Sequence, residues 1–209
     1  MNNIENNQVT ISGEIASWFN FSHEFYGEKF YIVNVKAQRM SDASDIIPVM
    51  VSDRLIDVAE DYIGQFVSVT GNFRSYNKYD GEKKHIVLSV FAQEFEILEE
   101  NEVCLNDNHI YMDGYVCKEP VYRKTPLGRE IADVLLAVNR PYGKSDYIPC
   151  ICWGPNARYA GNLKVGERCA IEGRIQSRIY IKTLDDGSTE ERTAYEVSVS
   201  KLEVLQDEE

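Results

Sequence analysis

The sequence contains no apolar run long enough to cross a membrane, because no stretch of about 18 consecutive apolar residues occurs in its 209 residues. The first residues, from Met1 to Asn7, show no basic segment followed by an apolar one, so they are not typical of a secretory signal. We therefore expect a cytoplasmic protein that makes no membrane contact.

Motifs of catalysis are also missing. The sequence has no Gly-rich phosphate loop, no His-Glu-x-x-His and no nucleophile elbow, and its three histidines are scattered. Its five cysteines include no Cys-x-x-Cys pair. Cys150 and Cys152 are spaced to share one face of a strand, where we expect packing rather than a metal or redox site. The sequence predicts no enzymatic activity, no metal and no cofactor.

Positive charge is scarce but unevenly distributed. The net charge is −12, which is unfavourable for contact with phosphates. Residues 1–100 hold 8 basic and 16 acidic side chains, whereas residues 101–209 hold 14 basic and 18 acidic ones. The second half is therefore the better candidate for a local basic surface.

The chain repeats itself with a period slightly above 100 residues, which indicates two similar domains. Four segments recur in the same order: Val9–Gly13 as Ile110–Gly114, Ile47–Val51 as Ile148–Cys152, Gly64–Gly71 as Gly166–Gly173, and Phe95–Leu98 as Leu202–Leu205. The offset grows from 101 to 107, as loop insertions require. We place the boundary near residues 99–102 and predict domains over 1–100 and 101–209.

Each half alternates apolar and polar residues as strands do. The clearest runs are Val9–Ile15, Phe30–Val35, Phe66–Phe73, Ile110–Val116, Cys169–Ile175 and Tyr195–Leu202. Helix-like stretches over Ser52–Tyr62 and Asn156–Leu163 fall between the third and fourth strand runs. This order predicts a mainly β protein of two tandem five-stranded OB-fold Greek-key barrels, each with one short helix.

The second half combines aromatic and basic residues in the same segments. Binding of single strands needs aromatic faces for base stacking and cations along the phosphate track. Tyr142, Tyr147, Trp153 and Tyr180 supply the first, while Arg123, Lys124, Arg140, Lys144, Arg174 and Arg178 supply the second. We predict these ten residues as the DNA-binding set.

Several motifs of the second half resemble those of the bacterial single-stranded DNA-binding proteins. Lys118–Gly128 is similar to their Asp-Pro-Glu-x-Arg-x-x-Pro-x-Gly stretch, and Val134–Arg140 to their Phe-x-Leu-Ala-Val-Asn-Arg strand. Asp146–Gly154 and Gly166–Arg178 match two further motifs in the family's order. The resemblance covers residues 108–206. It implies stacking of bases on Tyr142, Tyr147, Trp153 and Tyr180, with Arg123, Arg174 and Arg178 at basic positions of the family.

The first half keeps the strand pattern but departs at these positions. Ser52 stands where the second half has Trp153, and Lys78 where it has Tyr180, with Tyr76 and Tyr79 close by. Because the first half is also acidic, we expect a diverged barrel that serves assembly. The other interpretation is a second, weaker stacking platform formed by Tyr76, Lys78 and Tyr79.

The resemblance implies a protein that covers single-stranded DNA in replication, recombination or repair. Family members work with four barrels, so we expect a homodimer. They also end in a partner-recruiting tip that is absent here, which puts partner recruitment in question. Two alternatives remain: an assembly module with little affinity for DNA, and a binder of single-stranded RNA.

Overall fold

The computed structural model describes residues 6–80, 83–99, 107–184 and 186–206. Within them the chain forms twelve strands, one 3₁₀ turn at Pro141–Gly143 and one helix, α1, at Pro155–Ala160. The strands are β1 Asn7–Ile15, β2 Asn20–Phe25, β3 Glu28–Gln38, β4 Ser44–Ser52, β5 Phe66–Asp80, β6 Lys83–Ile97, β7 Asn108–Val116, β8 Val121–Lys124, β9 Glu130–Arg140, β10 Lys144–Trp153, β11 Arg168–Thr183 and β12 Thr189–Val204. No helix among the described residues has the length and apolar character of a membrane span.

Each half of the chain closes five strands into a ring. In the first half β1 pairs with β3 and β5, β3 pairs with β4, and β4 runs parallel to β6, which pairs with β5. β7, β9, β10, β12 and β11 repeat this ring in the second half, including its parallel β10–β12 pairing. We call these rings the first and second barrel. The predicted mainly β fold with two OB-type barrels is confirmed.

Each barrel carries one strand that was not predicted. β2 and β8 lie in the first connection of their repeats and pair with β3 and β9. Every residue of both strands is exposed, so neither strand shows the apolar alternation by which the ring strands were identified. Both repeats thus hold six strands rather than five.

The predicted helix over Ser52–Tyr62 is wrong. After β4 the chain makes consecutive turns, whereas the predicted second-repeat helix forms as α1. Asp57 and Asp61 side chains accept the backbone N–H groups of Ala59 (3.1 Å) and Ile63 (3.0 Å). Short acidic side chains that bind their own backbone in this way compete with helical hydrogen bonds.

The cores are built from the inward residues of the rings, chiefly valine and isoleucine. Cys150, Cys152 and Cys169 are buried among them as free thiols. Gly71 and Gly173 allow sharp bends where the rings close. A Cβ added to Gly71 would lie 2.1 Å from the carbonyl oxygen of Phe91, and a Cβ added to Gly173 would lie 2.3 Å from the carbonyl oxygen of Ser198. The register shifts beside both glycines, as at a β-bulge.

The barrels join edge to edge through antiparallel β1 and β7, so the twelve strands form one continuous sheet. Val9 lies opposite Ile110, its own counterpart in the repeat, so a local two-fold axis relates the barrels. Asn7 exchanges hydrogen bonds with the backbone of Phe73 (2.7 and 2.9 Å), and Asn108 does the same with Ile175 (2.8 and 2.9 Å). We call the region in which the two barrels contact each other, centred on the paired strands β1 and β7, the seam.

Candidate nucleic-acid interface

Strand β10 displays two of the predicted aromatic residues on the outside of the second barrel. Ile148, Cys150 and Cys152 point into the core, so the odd-numbered Tyr147 and Trp153 point outward. Their side chains are 45% and 38% exposed. They are six positions apart along the strand, which separates them by about 20 Å, the distance spanned by several nucleotides.

Tyr147 and Tyr180 line a common cleft of about 450 Å³. Leu135, Pro149 and Tyr195 of the second barrel form part of its wall. The other side is formed by Ile86, Val87 and Leu88 on β6 of the first barrel. The structure therefore brings two of the four predicted aromatics together, in a cleft to which both barrels contribute.

Tyr142 lies outside this cleft, in the turn between β9 and β10. It adopts a left-handed backbone conformation with φ of 64°, and Gly143 follows with φ of 66°. For a residue with a bulky side chain this conformation costs about 1–2 kcal/mol. The turn leaves the ring 94% exposed, which is a suitable position for stacking on a base.

The predicted cations of the second barrel differ in whether an acidic side chain lies close to them. Lys124 and Lys144 are exposed at strand ends, whereas Arg123 is paired with Asp133. The Arg178 guanidinium lies 5.8 Å from the centre of the Tyr180 ring and 3.8 Å from a Glu196 carboxylate oxygen. Arg178 and Tyr180 thus place a cation beside an aromatic face at one end of the cleft.

Arg140 and Arg174 are drawn into the seam by two buried aspartates. Arg140 Nε lies 3.2 Å from Asp146 Oδ2, and Arg174 Nη1 lies 3.4 Å from Asp45 Oδ2. Burial raises the pKa of Asp146, although the Ser75 N–H and the cations Arg140 and Arg74 act in the opposite direction. Both arginines therefore have a structural partner, and their contact with DNA stays a prediction.

The same aspartates fasten one barrel to the other. Asp146 of the second barrel accepts the backbone N–H of Ser75 in the first, and Asp45 of the first accepts that of Ser177 in the second, both at 2.7 Å. Neither carboxylate has any exposed surface. This contact could not be read from the sequence, because Asp45 and Asp146 follow loops in which acidic residues are usually solvated.

Sequence reasoning also missed residues of the cleft. Ile86 and Val87 were not predicted as site residues, because they belong to the repeat that lacks the family's motifs. Arg192 lies directly opposite Tyr180 in the β11–β12 register and pairs with Glu190 at 2.7 Å. Only the register of the long hairpin reveals this neighbour, because the two residues are twelve positions apart in sequence. The side chains of Lys78 and Tyr79 lie outside the described part of the chain.

Residues 107–205 match the sequence profile of the family described as "Single-strand binding protein family". The match spans nearly the whole described length of the second barrel. The resemblance inferred from the motifs is thereby confirmed over the span that the motifs occupy. The family's name describes binding proteins, and the four predicted aromatic residues all lie within the matched barrel.

Curated bacterial relatives match about a third of the chain. The "Single-stranded DNA-binding protein" of Halalkalibacterium halodurans is 36% identical over 80 residues, which cover 35% of this chain and 48% of the relative. "Single-stranded DNA-binding protein A" of Bacillus subtilis is 35% identical over 80 residues, covering 35% and 46%. The match thus spans about half the length of these curated relatives.

The whole tandem arrangement has a counterpart among solved structures. The crystal structure of wild-type single-stranded DNA binding protein from Thermus aquaticus superposes with a TM-score of 0.76 and covers 97% of this chain and 94% of that one. The sequence identity is 21%. At this identity the likeness shows that both barrels, including the diverged first one, share the fold of that protein.

Proposed function

We propose that this chain binds single-stranded DNA without sequence preference and without catalysis, and that it covers exposed strands in replication, recombination or repair. The cleft that holds Tyr147 and Tyr180, with Arg178 over the Tyr180 ring, is the observation that supports this most strongly. It lies in the barrel that matches the single-strand binding protein family. Stacking suits this role because every base offers an aromatic face.

The arrangement indicates how a strand would lie on the second barrel. Tyr142 in the turn before β10, Tyr147 and Tyr180 in the cleft, and Trp153 at the end of β10 offer four separate stacking positions. Lys144 follows Tyr142 by two positions, and Arg178 lies beside Tyr180, so phosphates between stacked bases would meet cations. Each stacked base contributes roughly 1–3 kcal/mol.

The test is a titration of a fluorescently labelled dT oligomer of about 35 nucleotides at low and high salt. Trp153→Ala/Tyr180→Ala removes two stacking positions, so we expect the Kd to rise by at least about 30-fold. Trp18→Ala removes the other tryptophan, which is 55% exposed on the first barrel, and serves as the matched control. Competition with an rU oligomer of equal length measures the preference for DNA over RNA.

Absence of binding by the unaltered chain at low salt would contradict the proposal. It would favour the second candidate, an assembly module. The observation behind that candidate is the β2–β3 hairpin of the first barrel, where Phe21, Phe25 and Tyr26 are 59%, 63% and 92% exposed. Exposed aromatic residues of this kind are enriched where proteins contact one another.

We further propose that two chains pair and bring four barrels together. The family resemblance supports this proposal, because its members work with four barrels, and closed two-fold pairing is the commonest oligomeric symmetry. Light scattering should give twice the 23.9 kDa mass of one chain. A single-chain mass at micromolar concentration would contradict the pairing.

A further inference from the structure

A groove of about 340 Å³ lies on the outer face of the first barrel beside the seam. Its lining includes Arg74, Tyr76, Ser89 and Phe91 on β5 and β6, and the second-barrel Arg140. The β2 hairpin adds His23 at its edge. Its volume is at the lower end of the range of small-molecule sites, which is large enough for one nucleotide.

Positive charge exceeds negative charge in this groove. Arg74 and Arg140 share one carboxylate, Asp146, and none of the described lining residues is acidic. Arg140 Nε and Asp146 Oδ2 are 3.2 Å apart but not aligned for a hydrogen bond. Arg39, by contrast, makes two aligned bonds of 2.6 and 2.8 Å to Asp45. Asp146 therefore neutralises Arg140, on the groove side of the seam, less completely than Asp45 neutralises Arg39.

Aromatic surface adjoins these cations. The Arg74 guanidinium lies 4.8 Å from the centre of the Phe91 ring, and Tyr76 is 37% exposed. His23 stacks on Phe30 with ring centres 5.0 Å apart and an angle of 13° between the planes. Cations next to aromatic faces are the two components that a single-strand site requires.

The groove is continuous with the cleft of the second barrel. Tyr76, which lines the groove, lies directly opposite Val87, which lines the cleft. Side chains of directly opposed residues project from the same face of an antiparallel pair, with Cβ atoms about 5 Å apart. A strand that leaves the cleft over Val87 would therefore meet Tyr76 next.

Three residues of the groove have counterparts of different chemistry on the second barrel. The local two-fold axis relates Arg74, Ser89 and Phe91 to Gln176, Glu196 and Ser198, as the strand registers show. Gln176 donates a hydrogen bond of 2.7 Å to the buried carboxylate of Glu196. A carboxylate at this place repels phosphate, and Ser198 offers no ring. Arg178, the counterpart of Tyr76, does place a cation there, but it lies beside Glu196, and nothing in the described part of the second barrel corresponds to the pair of Arg74 and Phe91.

We propose that this groove is a second binding site for single-stranded DNA, which holds a phosphate at Arg74 and Arg140 and a base against Tyr76 and Phe91. It rests on the proposed function and extends the DNA path onto the first barrel. The site reconciles the acidic composition of the first half with a role in binding, because the surplus positive charge is local. It replaces the expectation that the first barrel serves assembly alone.

The test transplants the second barrel's residues into the groove. Arg74→Gln/Ser89→Glu installs the Gln–Glu pair that the other barrel already tolerates at this position, so the ring of strands should still close. We expect the affinity for a dT oligomer of about 35 nucleotides to fall at least about tenfold. The slope of log K against log salt should shrink by about 0.7 for each phosphate that the groove no longer neutralises.

Lys36→Glu is the matched control, because it changes the charge of the first barrel by the same amount at an exposed site away from the groove. Urea unfolding of both variants separates loss of binding from loss of fold. Equal affinities for the oligomer and equal salt slopes in the two variants would overturn the proposal that the groove binds DNA. If the transplant instead halves the mass in light scattering and leaves binding per chain unchanged, a second copy occupies the groove and the proposal is wrong.

The proposed function and the groove can fail separately. If Trp153→Ala/Tyr180→Ala lowers the affinity and the transplant does not, only the groove is refuted. If the unaltered chain does not bind the oligomer at all, both are refuted.

Discussion

Asn7 and Asn108 make the same pair of hydrogen bonds in the two barrels, and Asp45 and Asp146 make the same buried contact across the seam. The outer faces of the two barrels, by contrast, carry different residues at equivalent positions. Trp153 is exposed where the first barrel has the buried Ser52, and Phe91 lies where the second has Ser198. Residues that satisfy backbone groups at the seam are constrained by their partners, whereas outward residues can change and give each barrel its own chemistry.

The seam aspartates give the largest expected effects on stability. Asp45→Ala and Asp146→Ala each leave a Ser N–H and two arginines without a buried carboxylate, so we expect losses of about 3–5 kcal/mol in the free energy of unfolding. Asp45 should be the more sensitive because Arg39 binds it through two aligned hydrogen bonds. Urea denaturation measures both losses.

Asn at the same two positions is the control, since its amide oxygen still accepts the Ser N–H. A loss below about 1 kcal/mol in both alanine variants would show that the seam does not hold the barrels together. A large loss in only one of them would break the equivalence of the two contacts.

The buried thiols distinguish the two cores at alkaline pH. Burial raises the pKa of Cys152 to about 12 and that of Cys169 to about 11, from 9.0. As pH rises above 9, the unfolded chain loses these protons first, so the free energy of unfolding should fall by about 1.4 kcal/mol per pH unit for each thiol. Unfolding at pH 8 to 10.5 measures the slope.

The first barrel supplies the control for this prediction. Val49, Val51 and Val67 occupy the places of Cys150, Cys152 and Cys169, and all three are fully buried. Replacing the three cysteines by valine should preserve the fold and flatten the pH dependence between 9 and 10.5. An unchanged slope would mean that other groups cause the alkaline loss.

Two exposed tyrosines give the smallest effect and compare one loop in each barrel. Tyr26 and Tyr142 both adopt left-handed conformations before a glycine that does the same. Asparagine tolerates this conformation better, so Tyr26→Asn and Tyr142→Asn should each stabilise the chain by about 1 kcal/mol. Only Tyr142→Asn should weaken DNA binding. Equal losses of affinity would assign Tyr26 to the DNA path as well.

The sequence predicted the rings of strands because one face of each strand is buried in a core, which imposes alternation. Val9–Ile15 and Ile110–Val116 fall within β1 and β7 for this reason. β2 and β8 have no buried face, so their sequences show no such signal. The error at Ser52–Tyr62 has a local cause, since Asp57 and Asp61 bind the backbone rather than allowing a helix.

The site was predictable one barrel at a time. Tyr142, Tyr147, Trp153 and Tyr180 could be identified from the motifs of a single repeat. Arg140 and Arg174 were predicted as phosphate contacts, yet Arg140 is paired with the buried Asp146 of its own barrel and Arg174 with the buried Asp45 of the other barrel. The contribution of Val87 to the cleft likewise depends on how the barrels are joined, and the motifs of a single repeat do not predict that arrangement.

The chain holds two tryptophans, one on each barrel, and their fluorescence tests the central claim most directly. Trp18→Phe leaves Trp153 as the only tryptophan, and Trp153→Phe leaves Trp18. We predict that saturating dT oligomer quenches Trp153 strongly, because a base stacks on it, and changes Trp18 little. Quenching of Trp18 with no change at Trp153 would contradict the assignment of the principal stacking surface to the second barrel.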